Sequence, residues 1–132
     1  MKYLIMMYPN AAVMDALSEE DRNAVFQGHG EFMTKIKESG EFVGTVALGG
    51  PEESSVVRVR GGVPAVTDGP YAEFKEMLAG FQTVVVDSEA RALEIAARVS
   101  AVPGPGGVPL QQPIHVRRVM EAADFDRLMA GE

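Results

Sequence analysis

The segment VTDGPYAEFKEMLAGF, residues 66–81, decides how this 132-residue sequence folds, because it joins two β-prone regions. Between them it places three acids, a lysine and a tyrosine. Asp68-Gly69-Pro70 predicts a tight turn, since aspartate caps turns, glycine adopts unusual backbone conformations and proline fixes the next segment. Upstream, Gly61-Gly62 between the runs 56–60 and 63–67 predicts a two-residue hairpin that leads directly into Asp68.

Working outward from this segment, hydrophobic periodicity and capping residues predict the other elements. Ser18, with Asp21 three residues on, resembles a capping box and begins a helix that stops at Gly40. Ser88 begins a second helix in a similar way. The predicted strands cover residues 3–8, 42–48, 81–86 and 114–120, the predicted helices cover 18–39 and 88–101, and a short helix follows near the C-terminus.

The order of these elements is β-α-β, a hairpin, then β-α-β. This order predicts an α+β fold with a ferredoxin-like antiparallel sheet and two helices on one face. The strands 3–8 and 81–86 carry apolar side chains at odd and even positions, so the uncovered sheet face must also be buried. We therefore expect a homodimer in which a second copy covers this face. The alternative is that the C-terminal tail folds back over the sheet.

Composition and charge exclude several classes of function. With 12 basic and 19 acidic residues the formal charge is −7, which repels phosphate backbones, so nucleic acid is not an expected partner. Cysteine is absent, which excludes disulfides and thiolate catalysis. The first apolar run stops at Tyr8-Pro9, and no run approaches the ~20 residues of a membrane span. We expect one cytoplasmic domain over residues 1–132, with no membrane partner.

The segment 66–81 also carries a family resemblance. It is similar to the DGPF signature, and the matching positions are Asp68, Gly69, Pro70, Ala72, Glu73, Lys75, Glu76, Gly80 and Phe81. The chain thereby resembles the YCII-related proteins. That resemblance implies a dimeric α+β barrel, in which two sheets close face to face, and a family whose reactions are mostly unassigned. It also implies an association with sigma-factor-like regulators, beside which some relatives occur.

Four candidate site residues come from the signature or its immediate surroundings. Asp68 either caps the turn or acts as a carboxylate that orients a histidine. In an exposed loop Glu73 and Lys75 would form only a solvated ion pair. At the mouth of an apolar barrel the same groups, with Tyr71, would bind substrate and have shifted pKa values. We predict Asp68 as catalytic, and Tyr71, Glu73 and Lys75 as substrate-binding.

His29 lies in the middle of an apolar helix stripe formed by Val25, Phe32 and Ile36, with Phe26 and Met33 beside them. Such a histidine is either a satisfied core residue or, if it contacts Asp68, a general base. Gly28 and Gly30 flank it, each costing about 1 kcal/mol of helix propensity, which indicates close approach by another backbone or a ligand. We predict His29 as the second catalytic residue.

Arg117 and His115 project to the same side of the last predicted strand. They are either half-exposed strand residues or, for Arg117, a group that binds a substrate carboxylate or pairs with Glu73. Arg117 matches an arginine in the related family, and Arg118 replaces a usual proline. We predict Arg117 as substrate-binding.

The sequence predicts neither a metal site nor a cofactor. The two histidines are far apart and lack acids at ligand spacing, and Gly104-Pro105-Gly106-Gly107 lacks the lysine and hydroxyl residue of a phosphate loop. Two hypotheses remain. One is a homodimeric enzyme that performs proton transfer, hydrolysis or isomerisation on a small organic acid or lactone-like molecule. The other is a non-catalytic ligand-binding or regulatory module associated with transcription regulators.

Overall fold

A computed structural model of the chain describes residues 1–9, 11–68 and 78–131. Ten helices and strands, together with 3-10 turns at Pro51–Glu53 and Pro105–Gly107, make up this part of the chain. Their order is β1 (Lys2–Met7), α1 (Ala11–Asp15), α2 (Glu19–Ser39), β2 (Phe42–Ala47), β3 (Ser55–Arg60), β4 (Val63–Asp68), β5 (Gly80–Val85), α3 (Glu89–Ser100), β6 (Ile114–Arg118) and α4 (Ala122–Met129).

The main sheet contains four antiparallel strands in the order β2-β5-β1-β6. The two central strands are β1 and β5, while α2 and α3 form the crossovers β1-α2-β2 and β5-α3-β6. The ferredoxin-like α+β fold is therefore confirmed. A single chain does not close this sheet into a barrel, since β2 and β6 remain its edges.

The helix boundaries follow the predicted capping residues. The Ser18 hydroxyl accepts a hydrogen bond from the Asp21 N–H at the start of α2, and Gly40 ends that helix in a left-handed conformation with φ 79°. At the start of α3 the Ser88 hydroxyl accepts from the Arg91 N–H. None of the helices in the described ranges is long and apolar enough to cross a membrane.

The hydrophobic core lies between one face of the main sheet and the helices. Tyr3 and Ile5 of β1 and Val84 of β5 are buried and alternate with less buried neighbours, because successive strand residues point to opposite faces. Against them pack Ile36 of α2 and, from α3, the apolar stripe Ala92, Ile95, Ala96 and Val99.

The opposite sheet face has no cover from the described residues. Leu4, Met6 and Phe81 on this face are half-buried by their neighbours in the sheet. Val46 and Val85 are 43% and 44% exposed. Below we call this surface the open face.

The C-terminal helix does not supply the missing cover. Arg118 donates two hydrogen bonds to the Asp124 carboxylate, at 2.8 and 3.2 Å, which holds α4 to the end of β6. Leu128 and Met129 of α4 stay largely exposed and are not packed against the sheet. The arginine that replaces the usual proline thus anchors a polar contact, and the tail does not fold over the open face.

The predicted hairpin is present as a separate two-stranded sheet of β3 and β4. Its turn residues Gly61 and Gly62 have φ values of 58° and 78°, the left-handed conformation that a two-residue hairpin requires. Almost all its side chains are exposed, including Val59 and Val66. A two-stranded hairpin is only marginally stable alone, so this ribbon needs support that the described residues do not give it.

Candidate functional site

A cavity of about 290 Å³ lies between α2 and the β2–β5 side of the main sheet. It is at the small end of the range of ligand pockets. Its lining is mostly apolar: Met7, Pro9, Met14, Val25, Phe26, Gly30, Met33, Val46, Ala47, Ala79 and Gly80. The polar lining residues are His29, Thr45, Gln82 and Gln112.

The helix wall of the cavity follows from the spacing of side chains on α2. Phe26, His29, Gly30 and Met33 are three or four residues apart and therefore share one face of the helix. Phe26, predicted to belong to the buried stripe, is 62% exposed, so that prediction is wrong for this residue. The aromatic side chain lies on the cavity lining instead of in the core.

The floor of the cavity is formed where β2 and β5 approach closely. A Cβ atom at Gly80 would lie 2.5 Å from the Val46 carbonyl oxygen, so only glycine permits this approach. Thr45, on the neighbouring strand, donates its hydroxyl to the Phe81 carbonyl at 3.2 Å. The threonine donor is therefore already used within the sheet.

His29 is half-buried on the cavity wall. Burial lowers the pKa of its imidazole below the ordinary value of 6.5, because removal from water disfavours the charged form. The ring is consequently neutral at pH 7, and a neutral imidazole can accept a proton.

The glycines that flank His29 have different surroundings. A Cβ atom at Gly28 would lie 3.2 Å from Val102 Cγ1, so this position is packed against the chain that follows α3. A Cβ atom at Gly30 would have no heavy atom of the described residues within 4 Å, and Gly30 borders the cavity. The predicted close approach is present at Gly28, whereas Gly30 leaves space open.

Gln82 is a candidate that sequence reasoning missed. It lies on β5 opposite Ile5, on the helix-covered face, and only 4% of it is exposed. Its side chain makes no hydrogen bond within the part of the chain that the structure describes, and since no buried side-chain nitrogen or oxygen there lacks a partner, its amide atoms are open to the cavity. The available signal was a polar residue inside the apolar run 81–86.

The structure does not bring His29 and Asp68 together. Asp68 lies at the exposed end of β4 opposite Ser55, outside the cavity lining, and no hydrogen bond or ion pair joins it to His29 within the described ranges. Tyr71, Glu73 and Lys75 lie outside the described residues.

Arg117 lies on β6 opposite Leu4, so it is on the open face, whereas the cavity is on the helix-covered face. Its neighbour on the same face is His115, whose ring centroid is 4.5 Å from that of Tyr8. Across residues 1–9, 11–68 and 78–131, no three acidic or histidine side chains form a group that could hold a metal ion. The polar groups of the cavity, among the described residues, are therefore those of His29, Thr45, Gln82 and Gln112.

Comparison with known proteins identifies relatives over most of the chain. The family model described as "YCII-related domain" matches residues 1–108. An uncharacterized protein of Rhizobium meliloti (strain 1021) is 31% identical over 100 residues, which cover 76% of this chain and 81% of that protein. The match includes α2, the main strands β1, β2 and β5, and all but one of the cavity-lining residues.

Proposed function

We propose that this chain, which belongs to the YCII-related family, is a small-molecule enzyme. In this proposal His29 transfers a proton to or from a substrate that is bound in the cavity between α2 and the main sheet. The observation that carries this proposal is the position of the imidazole on the wall of an apolar cavity. Asp68 remains a predicted catalytic residue, but the proposal does not depend on it.

The electrostatics of the cavity support a basic role for His29. A general base works best when its pKa is near the working pH and its unprotonated form predominates. Burial favours that form at pH 7, and the pKa of His29 lies below 6.5.

The test is deuterium exchange next to a carbonyl group, which requires no knowledge of the natural reaction. The protein is incubated in D₂O with cyclohexanone, γ-butyrolactone or pyruvate, and NMR follows loss of the α-proton. We expect acceleration of exchange for at least one probe, and a loss of about 100-fold or more in His29→Gln, since general bases typically contribute 10²–10⁴-fold. Equal rates in the wild type and His29→Gln would refute the proposal.

The second candidate is a non-catalytic ligand-binding module, and one observation favours it. Within the described residues His29 has no hydrogen-bond partner to orient its ring, whereas catalytic histidines usually have one. A module of this kind would bind small molecules in the cavity but exchange no proton with them. Ligand-induced shifts in the His29 NMR signals without deuterium exchange would establish this alternative.

We also propose that the protein is a homodimer paired through the open face. A folded monomer of 14.2 kDa exposes about 6,800 Å² by the usual scaling of area with mass. This chain exposes 8935 Å². The difference, about 2,100 Å², includes the exposed β3–β4 hairpin, and a standard interface buries ~800 Å² per partner. A second copy across Leu4, Met6 and Phe81 would remove the apolar side chains of the open face from water.

Light scattering tests the pairing with matched variants. Val85→Glu puts a charge on the open face, and Leu93→Glu puts one on α3, at residues that are 44% and 50% exposed. We expect a wild-type dimer, a monomer for Val85→Glu, and a dimer for Leu93→Glu. A wild-type mass equal to one chain would refute the dimer.

A further inference from the structure

We propose that the Gln82 carboxamide is the specificity-determining group of the cavity, and that the site takes a neutral, largely apolar molecule with one carbonyl or carboxamide group. This inference deepens the proposed function by naming the class of ligand for the same cavity. It does not require that the ligand be turned over.

The first argument is the unused hydrogen-bonding capacity of Gln82. The residue is 96% removed from solvent, lines the cavity and has no side-chain hydrogen bond within the described part of the chain. Because no buried side-chain nitrogen or oxygen of the described residues lacks a partner, the Gln82 amide atoms are open to the cavity, where water reaches them. A polar ligand group in the cavity would take the place of that water as the hydrogen-bond partner of the amide.

The second argument is the absence of charge on the lining. The lining residues of the described chain include no aspartate, glutamate, lysine or arginine, and the imidazole of His29 is neutral at pH 7. An anionic or cationic ligand would lose its hydration without gaining a counter-charge, which costs far more than burial of a neutral group. The described part of the lining therefore favours neutral molecules.

The third argument is the chemistry of the carboxamide. Its NH₂ group donates and its oxygen accepts, so it pairs with a carbonyl oxygen alone or with both atoms of another carboxamide. The neutral imidazole of His29 adds one further donor and one acceptor. The cavity volume of about 290 Å³ is the volume that roughly ten water molecules occupy in the liquid. This volume suits a single ring with one polar substituent.

Binding of three probes of similar size tests the inference. Benzamide is neutral with a carboxamide, benzoate is an anion at pH 7, and toluene lacks a hydrogen-bonding group. We expect benzamide to bind at least tenfold more tightly than benzoate in titrations followed by NMR. In Gln82→Leu, the affinity for benzamide should fall by about fivefold to tenfold, because one hydrogen bond is lost. The affinity for toluene should not fall, because the substitution adds apolar surface.

The matched control is Gln27→Leu, which removes the same amide from the exposed side of α2 outside the cavity lining. It should leave the affinities for all three probes unchanged. The inference is overturned if benzoate binds as tightly as benzamide, or if Gln82→Leu leaves the affinity for benzamide unchanged.

Stability of the unliganded protein gives an independent measurement. Because the amide of Gln82 has no partner to lose, Gln82→Leu should melt at or above the wild-type temperature. A fall of several degrees would mean that the amide has a structural partner, and the ligand role would be withdrawn. Benzamide has no α C–H group, so its binding and the deuterium-exchange assay fail independently of each other.

Discussion

Replacing Gly30 with alanine should stabilise the protein and at the same time obstruct its cavity. Gly30 lies inside α2, where alanine is favoured over glycine by about 0.8–1.0 kcal/mol. No heavy atom of the described chain lies within 4 Å of the new methyl position, so no steric cost offsets this gain. Unfolding entropy of roughly 2.1 cal/mol/K per residue over 132 residues converts 0.8–1.0 kcal/mol into a rise of about 3 °C.

Gly28→Ala is the matched comparison, because it makes the same change two residues earlier on the same helix. Its methyl group would lie 3.2 Å from Val102 Cγ1 and 3.8 Å from Pro103 Cδ. Val102 is buried and has little room to move. Overpacking of this kind costs about 1–3 kcal/mol, which cancels or exceeds the helix-propensity gain of about 1 kcal/mol. We expect a change between zero and a loss of about 2 kcal/mol.

The assay is thermal unfolding followed by circular dichroism, with all proteins at one concentration so that any association affects them equally. Benzamide affinity, measured on the same samples, should fall in Gly30→Ala. If Gly30→Ala destabilises the protein as much as Gly28→Ala does, the space beside His29 is filled, and the cavity on which both proposals depend does not exist.

Two further predictions concern ion pairs outside the cavity. Asp124→Asn should lower the melting temperature at pH 6, and the difference should fade as the pH falls from about 4 to about 2. Hydrogen bonds from Arg118 lower the pKa of Asp124 from 3.8 to about 2, so its stabilisation is present above the unfolded value and is lost as the pH falls through the folded one. Arg91→Lys should lower the free energy of unfolding, measured in urea, by about 1 kcal/mol or less. The reason is that Arg91 makes a bidentate contact with Glu41, with a shortest distance of 2.7 Å, which lysine cannot reproduce. Arg98 makes a single exposed ion pair with Glu94 at 3.7 Å, so Arg98→Lys should change the free energy of unfolding by no more than about 0.5 kcal/mol. Equal losses in Arg91→Lys and Arg98→Lys would mean that the bidentate geometry at Arg91 contributes nothing to stability.

Most of the secondary structure was predictable because its signals are local. Ser18 and Ser88 cap the helices through bonds to residues three positions ahead, and Gly61-Gly62 has backbone angles that few other residues adopt. The short helix α1, which lacks an acidic first turn, was not predicted. Five residues make only a single turn, and packing rather than propensity decides whether it forms.

The candidate site was predictable only in part. His29 was identified from its place in an apolar helix stripe, but the partner assigned to it, Asp68, lies at the exposed end of a hairpin. The polar residue that does line the same cavity, Gln82, belongs to a strand that reads as apolar. Asp68 shows that a place in the signature segment does not by itself put a side chain on the cavity lining, whereas Ala79 and Gly80 of the same segment do lie there.

By itself the sequence determined the family, the order of helices and strands, and the antiparallel sheet with one covered face. These features depend on capping, turn chemistry and the period of apolar residues, which act over a few positions. Only the tertiary structure decided that His29 and Gln82 line one cavity, that Arg117 is on the opposite sheet face, and that Gly30 leaves space where Gly28 is packed. Such relations depend on how α2 crosses the sheet, and packing between distant segments sets that crossing.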